Sequence, residues 1–162
     1  MSMKIEVKGN LYDDIKDISE RIQHQMDSRA VRASYELRNS SQLILRGQRT
    51  GRRYKVPGTY KRQRDPVDGK MKNGRYYTAS APGEPPAVRT GAFRMSWQPT
   101  SRRVYGTYFS RIESDLRVDN GKHNLGEILE NGTKRMAPRP FEEPIIKHAE
   151  NRINRIYSEP YL

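Results

Sequence analysis

The chain has 162 residues, no cysteine and a formal net charge of +12, and apolar residues make up 33% of it. We expect a single domain over residues 1–162 with a modest core. The lack of cysteine excludes disulfides, thiolate zinc sites and a cysteine nucleophile, and no segment approaches the roughly 18 apolar residues of a membrane span, so we expect no membrane partner.

The first predicted element is a long amphipathic helix over residues 11–46, where apolar or small side chains recur in steps of three or four. Acidic residues near its start suit the helix dipole, and Gly47 is suited to end it. Such a helix is about 50 Å long, which exceeds what a small domain needs, so we expect part of it to contact a neighbouring subunit. Its apolar face consists of Ile15, Ile18, Ile22, Met26, Ala30, Ala33, Leu37, Ser41 and Ile44.

The positive charge is concentrated in the next segment. Residues 46–75 have a net charge of +9, whereas residues 1–45 are neutral and residues 76–162 have +3. Turn pairs at Asp68-Gly69 and Asn73-Gly74 predict an extended basic loop or hairpin arm over residues 48–78. Two interpretations stay open: a solvated loop, or a surface that attracts nucleic acid by neutralising phosphates.

Seven cations of this arm are candidate contacts for DNA or for an acidic partner. Tyr54, Tyr60, Tyr76 and Tyr77 lie among them, and tyrosine can stack on bases or pack in a protein interface. We favour the interface. The seven cations are Arg49, Arg52, Arg53, Lys55, Lys61, Arg62 and Arg64.

In two stretches beyond the arm, apolar and polar residues alternate as they do in β-strands. Phe93, Met95 and Trp97 share one face of a predicted strand. Apolar residues at even positions from Val104 to Val118 are enough for two more strands, which end at the turn signal of residues 119–121.

Two further helices are predicted. A short one has Asn124 as its cap and Gly132 as its stop. The last begins after Pro140, and its buried residues are Phe141, Ile145, Ala149, Ile153 and Ile156. The fold class is therefore α+β, with a long N-terminal helix, an antiparallel sheet of about three or four strands, and a C-terminal helix.

No motif in the sequence indicates catalysis. The three histidines are far apart and lack metal-binding spacing, and no nucleotide or serine-nucleophile motif is present. Glu127, Glu130, Glu142 and Glu143 could hold magnesium in a nuclease, but helix capping and solvation account for them. We expect no catalytic residue, metal or cofactor.

The least ordinary segment is residues 79–96, which is rich in proline and glycine. Pro82, Pro85 and Pro86 restrict the backbone, so we expect a stiff connector that enters the Phe93 strand. Residues 89–96 have the sequence Arg-Thr-Gly-Ala-Phe-Arg-Met-Ser; Leu-Glu-Asn-Gly-Thr follows at 129–133, and Pro-Arg-Pro-Phe at 138–141.

In this order the motifs resemble the gp-ten-like tail-completion or head–tail joining proteins of lambdoid tailed bacteriophages. The resemblance covers roughly residues 77–150, and Leu125-Gly126 replaces the Tyr-Ala that often precedes the Leu-Glu element. The candidate assembly residues are Pro85, Pro86, Arg89, Thr90, Gly91, Arg94, Glu130, Gly132, Thr133, Pro138, Arg139, Pro140 and Phe141.

The resemblance implies a non-enzymatic virion protein of the neck or upper tail, assembled in the host bacterial cytoplasm. It implies a ring of copies, a hexamer in preference to a dodecamer, that contacts neighbouring neck and tail proteins. The basic arm would then face packaged DNA in the channel or an acidic neighbour. The alternative function is a nucleic-acid-binding module that acts through residues 46–75.

Overall fold

The computed structural model describes residues 9–56 and 76–161, and within them the chain has the predicted α+β class. The predicted turns at Asp68-Gly69 and Asn73-Gly74 lie outside these ranges. None of the described helices is long and apolar enough to cross a bilayer. The elements are α1 (Leu11–Arg46), β1 (Arg53–Lys55), β2 (Tyr76–Thr78), α2 (Ala92–Met95), β3 (Gln98–Val104), β4 (Thr107–Glu113), β5 (Arg117–Val118), β6 (His123–Asn124), α3 (Leu125–Asn131) and α4 (Glu142–Tyr157).

Helix α1 has the predicted bounds and ends at Gly47, whose N–H donates to the carbonyl of Ile44 at 3.3 Å. Its 36 residues extend about 54 Å. Ala33 and Leu45 are fully buried, whereas Leu11 is 72% and Ile15 58% exposed. The C-terminal part of α1 therefore belongs to the core, and its first turns lie outside it.

Helix α4 packs along α1 and begins after Pro140, as predicted. Small residues let the two backbones approach, because Ala33 on α1 and Ala149 on α4 are both fully buried. His148 Nδ1 lies 3.0 Å from Ser40 Oγ across the same contact. Of the residues predicted to be buried on α4, only Ile153 remains half-buried.

Arg29 joins the chain's C-terminal end to the middle of α1. Its buried guanidinium donates to the carbonyls of Glu159 at 2.6 Å and Pro160 at 2.7 Å, and it lies 3.7 Å from the centre of the Tyr161 ring. A buried cation needs such a set of acceptors. The segment after α4 is thus held against α1.

Strands β3 and β4 form a hairpin that packs on α1. Tyr105 and Gly106 connect them with positive φ angles of 48° and 80°, as the tightest hairpin turns require. Ser110 Oγ donates to the carbonyl of Ala30 at 2.8 Å. The even positions of β4 face inwards as predicted, although the turn at residues 105–106 was not predicted.

The strands do not form one sheet of three or four. Those described make three separate two-stranded antiparallel pairs, β1–β2, β3–β4 and β5–β6. The pair β5–β6 closes around the predicted turn, where Asp119, Asn120 and Gly121 all have positive φ. Strands β5 and β6 have two residues each, and neither pairs with β3 or β4.

The predicted strand at residues 93–97 is wrong. Residues 92–95 form the single helical turn α2, which starts at Gly91 with a φ of 85°. Thr90 Oγ1 accepts a hydrogen bond from the Ala92 N–H at 3.3 Å. Phe93 and Trp97 are four residues apart, so they share a face in a helical turn as well as in a strand, and the alternation could not distinguish the two.

Phe141 is the centre of the core. Its side chain is 1% exposed and makes edge-to-face contacts with Phe93 and Trp97 at centroid distances of 5.4 and 5.7 Å. Leu45 from α1 and Ile145 from α4 are the other buried members of this cluster. One phenylalanine thus contacts both long helices and α2.

Replacement of Phe141 by alanine should lower the free energy of unfolding by about 3–5 kcal/mol, because the missing ring leaves a cavity. Denaturant titration followed by Trp97 fluorescence measures the loss. The matched control is Phe109→Ala, since the Phe109 ring on β4 is 50% exposed; it should cost about 1 kcal/mol or less. Equal losses would show that the core does not centre on Phe141.

Candidate functional site

Of the predicted connector over residues 79–96, residues 79–91 run from the end of β2 to α2 and are held by side chains from three directions, whereas residues 92–95 are helical. Residues 79–91 are called the connector below. Glu84 binds the segment after α1. Its Oε1 accepts from Thr50 Oγ1 at 2.6 Å, and its Oε2 accepts from the N–H groups of Thr50 at 3.1 Å and Ala81 at 2.9 Å. The Thr50 hydroxyl, followed by the two N–H groups, lowers the pKa of Glu84 to about 2.

Arg49 holds the connector from the C-terminal end of α1. Its Nη2 donates to the carbonyls of Ile44 at 2.8 Å and Pro86 at 3.2 Å. Burial lowers the pKa of Arg49, against the nearby charge of Glu84, which raises it. Although the sequence suggests Arg49 as a contact for DNA or an acidic partner, the fold uses its guanidinium internally.

Arg139 holds the connector from the third side. Its guanidinium donates to the carbonyl and the hydroxyl of Ser80, and the Gly83 N–H donates to the Pro138 carbonyl at 3.1 Å. The connector and the Pro-Arg-Pro-Phe element therefore lie against each other. Nothing in the sequence indicated this pairing, which joins residues 59 positions apart.

The two later motif elements also contact each other. Glu130 Oε2 accepts from the N–H groups of Phe141 at 2.9 Å and Glu142 at 3.4 Å, so it caps the start of α4. Gly132 has a φ of 74°, and a Cβ there would lie 2.7 Å from the Met136 carbonyl oxygen. Thr133 exchanges backbone hydrogen bonds with Met136. These residues form one tight unit between α3 and α4.

A cleft of about 490 Å³ opens between the connector and α3. Its floor is apolar, with Leu45, Leu116, Leu125 and Leu129 among the residues that line it. The candidate residues Arg89, Thr90, Gly91, Arg94 and Arg139 line it as well. The first motif and the second thus meet at one cavity. Pro86 lines it too and is buried. Of the remaining candidates, Pro85 and Pro140 are half-buried, and Pro138 is exposed.

The cleft carries an unusual polar atom. Arg94 Nε is buried and has no hydrogen-bond partner within residues 9–56 and 76–161. No carboxylate is among the described residues that line the cavity. Because Arg89 and Arg94 line the cavity without a described carboxylate beside them, the cleft is suited to a negatively charged group.

The basic arm begins as a hairpin, because β1 and β2 pair antiparallel at its base. The rings of Tyr54 and Tyr77 stack with centroids 5.7 Å apart. The guanidinium of Arg53 lies 4.4 Å from the Tyr76 ring centre, and that of Arg52 lies 5.6 Å from Tyr54. Of the other candidate contacts, Lys55 is exposed on β1, and Lys61, Arg62 and Arg64 lie outside the described residues.

No group of three or more His, Asp or Glu residues that could hold a metal ion occurs in the part of the chain that the structure describes. Glu143, one of the carboxylates that a nuclease would need, pairs with Lys147 at 2.6 Å. Glu130 is occupied in capping α4.

No protein-family model matches the chain, and no curated protein or solved structure is significantly similar to it. The resemblance to phage neck proteins therefore rests on the motifs alone.

The Glu84 contacts generate a pH-dependent prediction. Because the pKa of Glu84 is about 2 in the folded chain and 4.5 ordinarily, its contribution to stability is present above pH 4.5 and is lost as the pH falls towards 2. The wild type should therefore melt at a higher temperature than Glu84→Gln at neutral pH, and the difference should shrink through this window.

Thermal melts of both chains across that pH range are the measurement. Glu150→Gln is the control, since the side chain of Glu150 is exposed on α4 and makes no hydrogen bond or ion pair with another described residue. A difference between wild type and Glu84→Gln that stays constant down to pH 2 would contradict the assigned contacts.

Proposed function

We propose that the chain is a non-enzymatic structural protein of the neck or upper tail end of a tailed bacteriophage. Copies of it form a ring that completes the tail and joins it to the head. The observation that carries this proposal is the set of ordered motifs at residues 89–96, 129–133 and 138–141, which resembles the tail-completion family.

The contacts among the motif residues support the proposal. Glu130 caps the helix that follows Phe141, and Arg139 and Pro138 hold the connector that precedes Arg89. A set of motifs that builds one structural unit has a physical reason to occur together and in order. The same unit lines a cleft, and in this proposal the cleft contributes to assembly and not to catalysis.

The uncovered end of α1 supports self-association. Leu11, Ile15 and Ile18 are exposed on a helix that extends beyond the core. Contiguous exposed apolar side chains mark interaction surfaces on soluble proteins. Ring subunits need such a surface together with a different, complementary one.

Removal of this chain from the phage should yield filled heads and separate tails that fail to join, or tails with faulty ends. Electron microscopy of lysates and plaque counts measure this, with the unmodified chain supplied in trans as the control that restores joined particles. Normal infectious particles from the deletion would refute the proposal. In an image of the intact virion, the subunit should lie between the head and the tail tube.

The basic hairpin favours a second function, nucleic-acid binding through residues 46–75. Arg52 and Arg53 lie beside the rings of Tyr54 and Tyr76 at the base of an exposed two-stranded ribbon, and an arrangement of cations next to aromatic rings suits phosphates and bases together. Within a ring, the hairpins could line the channel and contact DNA without reading its sequence.

The chain should bind DNA with an affinity that falls as salt rises, and Arg52→Ala with Arg53→Ala should reduce the slope of log affinity against log salt by about 2. Fluorescence anisotropy at several salt concentrations measures it. Arg102→Ala with Arg155→Ala is the control with the same change in net charge, since both residues are exposed and lie away from the hairpin. Equal reductions would show that net charge, and not the hairpin, binds DNA.

A further inference from the structure

The first turns of α1 are exposed, and no element of the described chain packs on their apolar side chains. Among the described residues, Gln23 is the first position of α1 that receives hydrogen bonds from another element: Arg103 Nη1 donates to its Oε1 at 3.2 Å and Tyr108 to its carbonyl at 3.5 Å. Leu11, Ile15 and Ile18 in the segment before it are exposed, and contiguous exposed apolar side chains mark interaction surfaces on soluble proteins.

This segment has a defined chemistry. Leu11, Ile15, Ile18 and Ile22 recur at helical spacing and make one apolar stripe. Acidic residues accompany it, so that residues 11–20 have a net charge of −3. Lys16 lies 4.0 Å from Glu20, whereas Asp14 and Asp17 make no ion pair with another described residue. The partner surface should be apolar with positive charge at its margin.

The cleft beside the connector has these properties. Four leucines line it together with Arg89 and Arg94, and no described carboxylate lines it. Arg89 is exposed, and Arg94 Nε is buried without an acceptor in the described chain. Its volume of about 490 Å³ is within the usual range of ligand pockets, roughly 300–1,000 Å³, and so is enough for a few aliphatic side chains.

The two surfaces of one chain cannot meet each other. Leu45 lines the cleft and lies at the opposite end of α1 from Leu11. Thirty-four helical residues separate the two positions by about 51 Å. If the stripe of α1 fills the cleft, the two surfaces therefore belong to different copies of the chain.

We propose that the first turns of α1, residues 11–22, dock in the connector cleft of a neighbouring copy of this chain. Ile15 and Ile18 enter between the leucines, and Asp14 and Asp17 face Arg89 and Arg94. The contact joins two different surfaces, so it repeats head to tail and closes into a ring when the rotation per copy permits. This inference rests on the self-association in the proposed function and does not depend on the phage setting.

Engineered cysteines test the contact directly, because the chain has none of its own. Chains with Ile15→Cys are mixed with chains with Val88→Cys, since Val88 lines the cleft and is 39% exposed. The control partner carries Tyr105→Cys, at a fully exposed turn away from the cleft. After mild oxidation, mass spectrometry counts the mixed disulfides.

Docking raises the effective concentration of the second thiol, so the 15–88 disulfide should exceed the 15–105 disulfide by about tenfold or more. Charge reversal by Asp14→Arg with Asp17→Arg should remove this excess, as should Arg89→Glu alone. When the Ile15→Cys chain carries Asp14→Arg with Asp17→Arg and the Val88→Cys chain carries Arg89→Glu, part of the excess of the 15–88 disulfide should return. The docking is refuted if the 15–88 disulfide shows no excess without the charge reversals, or if the excess stays the same when either reversal is introduced.

Assembly of matched variants gives a second test. A chain with Ile15→Glu and Ile18→Glu keeps its cleft, and a chain with Arg89→Glu keeps its helix. In native mass spectrometry, each alone should be monomeric, and their mixture should give only the one-to-one heterodimer. Continued assembly of the Arg89→Glu chain alone would show that the helices pair with each other, and no heterodimer in the mixture would equally overturn the proposal.

Failure of this inference differs from failure of the proposed function. If a phage without this chain still produces joined particles, the neck assignment is wrong whatever the cysteines show. If the phage requires the chain but the 15–88 disulfide does not form, the ring is built through another contact.

Discussion

The burial of Phe141 is the interaction on which the rest of the structure depends. Few apolar side chains are fully buried in the described chain, and several of them are alanines, which contribute close approach of helices and little buried area. Phe141 supplies the largest buried side chain, and Leu45, Phe93 and Ile145 reach it from α1, α2 and α4. Because it directly precedes α4, its position also sets where that helix begins. A single residue thus links the main elements of a domain with a small core.

Hydrogen bonds from charged side chains hold the segments that the small core does not reach. Arg49, Glu84 and Arg139 bind backbone groups of the connector, and Glu130 binds those at the start of α4. Charged groups make stronger hydrogen bonds than neutral ones, so a few of them can order an irregular segment. The motif residues therefore have a structural task first. Their second task, in our proposal, follows from the cleft that they surround.

Helix α1 has a buried part and an exposed part. Its C-terminal part is covered by α4 and the β3–β4 hairpin, and its first turns carry an apolar stripe that the described chain leaves in water. A monomer would keep this stripe exposed at a cost, whereas a ring of copies would cover it. The basic hairpin differs in composition from the apolar stripe of α1 and from the cleft, since it presents arginines beside tyrosines. In our proposals, assembly and DNA contact therefore use different parts of the chain.

The sequence by itself determined the elements that depend on neighbouring residues: the bounds of α1, the Asn124 cap, the Gly132 stop and the start of α4. Helix periodicity and capping involve groups within a few positions of one another, so they can be seen in the chain. Only the tertiary structure decided the rest. Residues 92–95 form a helical turn and not a strand, because the spacing of four between Phe93 and Trp97 suits both structures and packing on Phe141 selects one. The pairing of the strands, the inward position of Arg49 and the shape of the cleft were also decided by the tertiary structure. Contacts around the cleft join residues that are far apart in the sequence, as Ser80 and Arg139 are, at a separation of 59 positions. No local pattern carries that information.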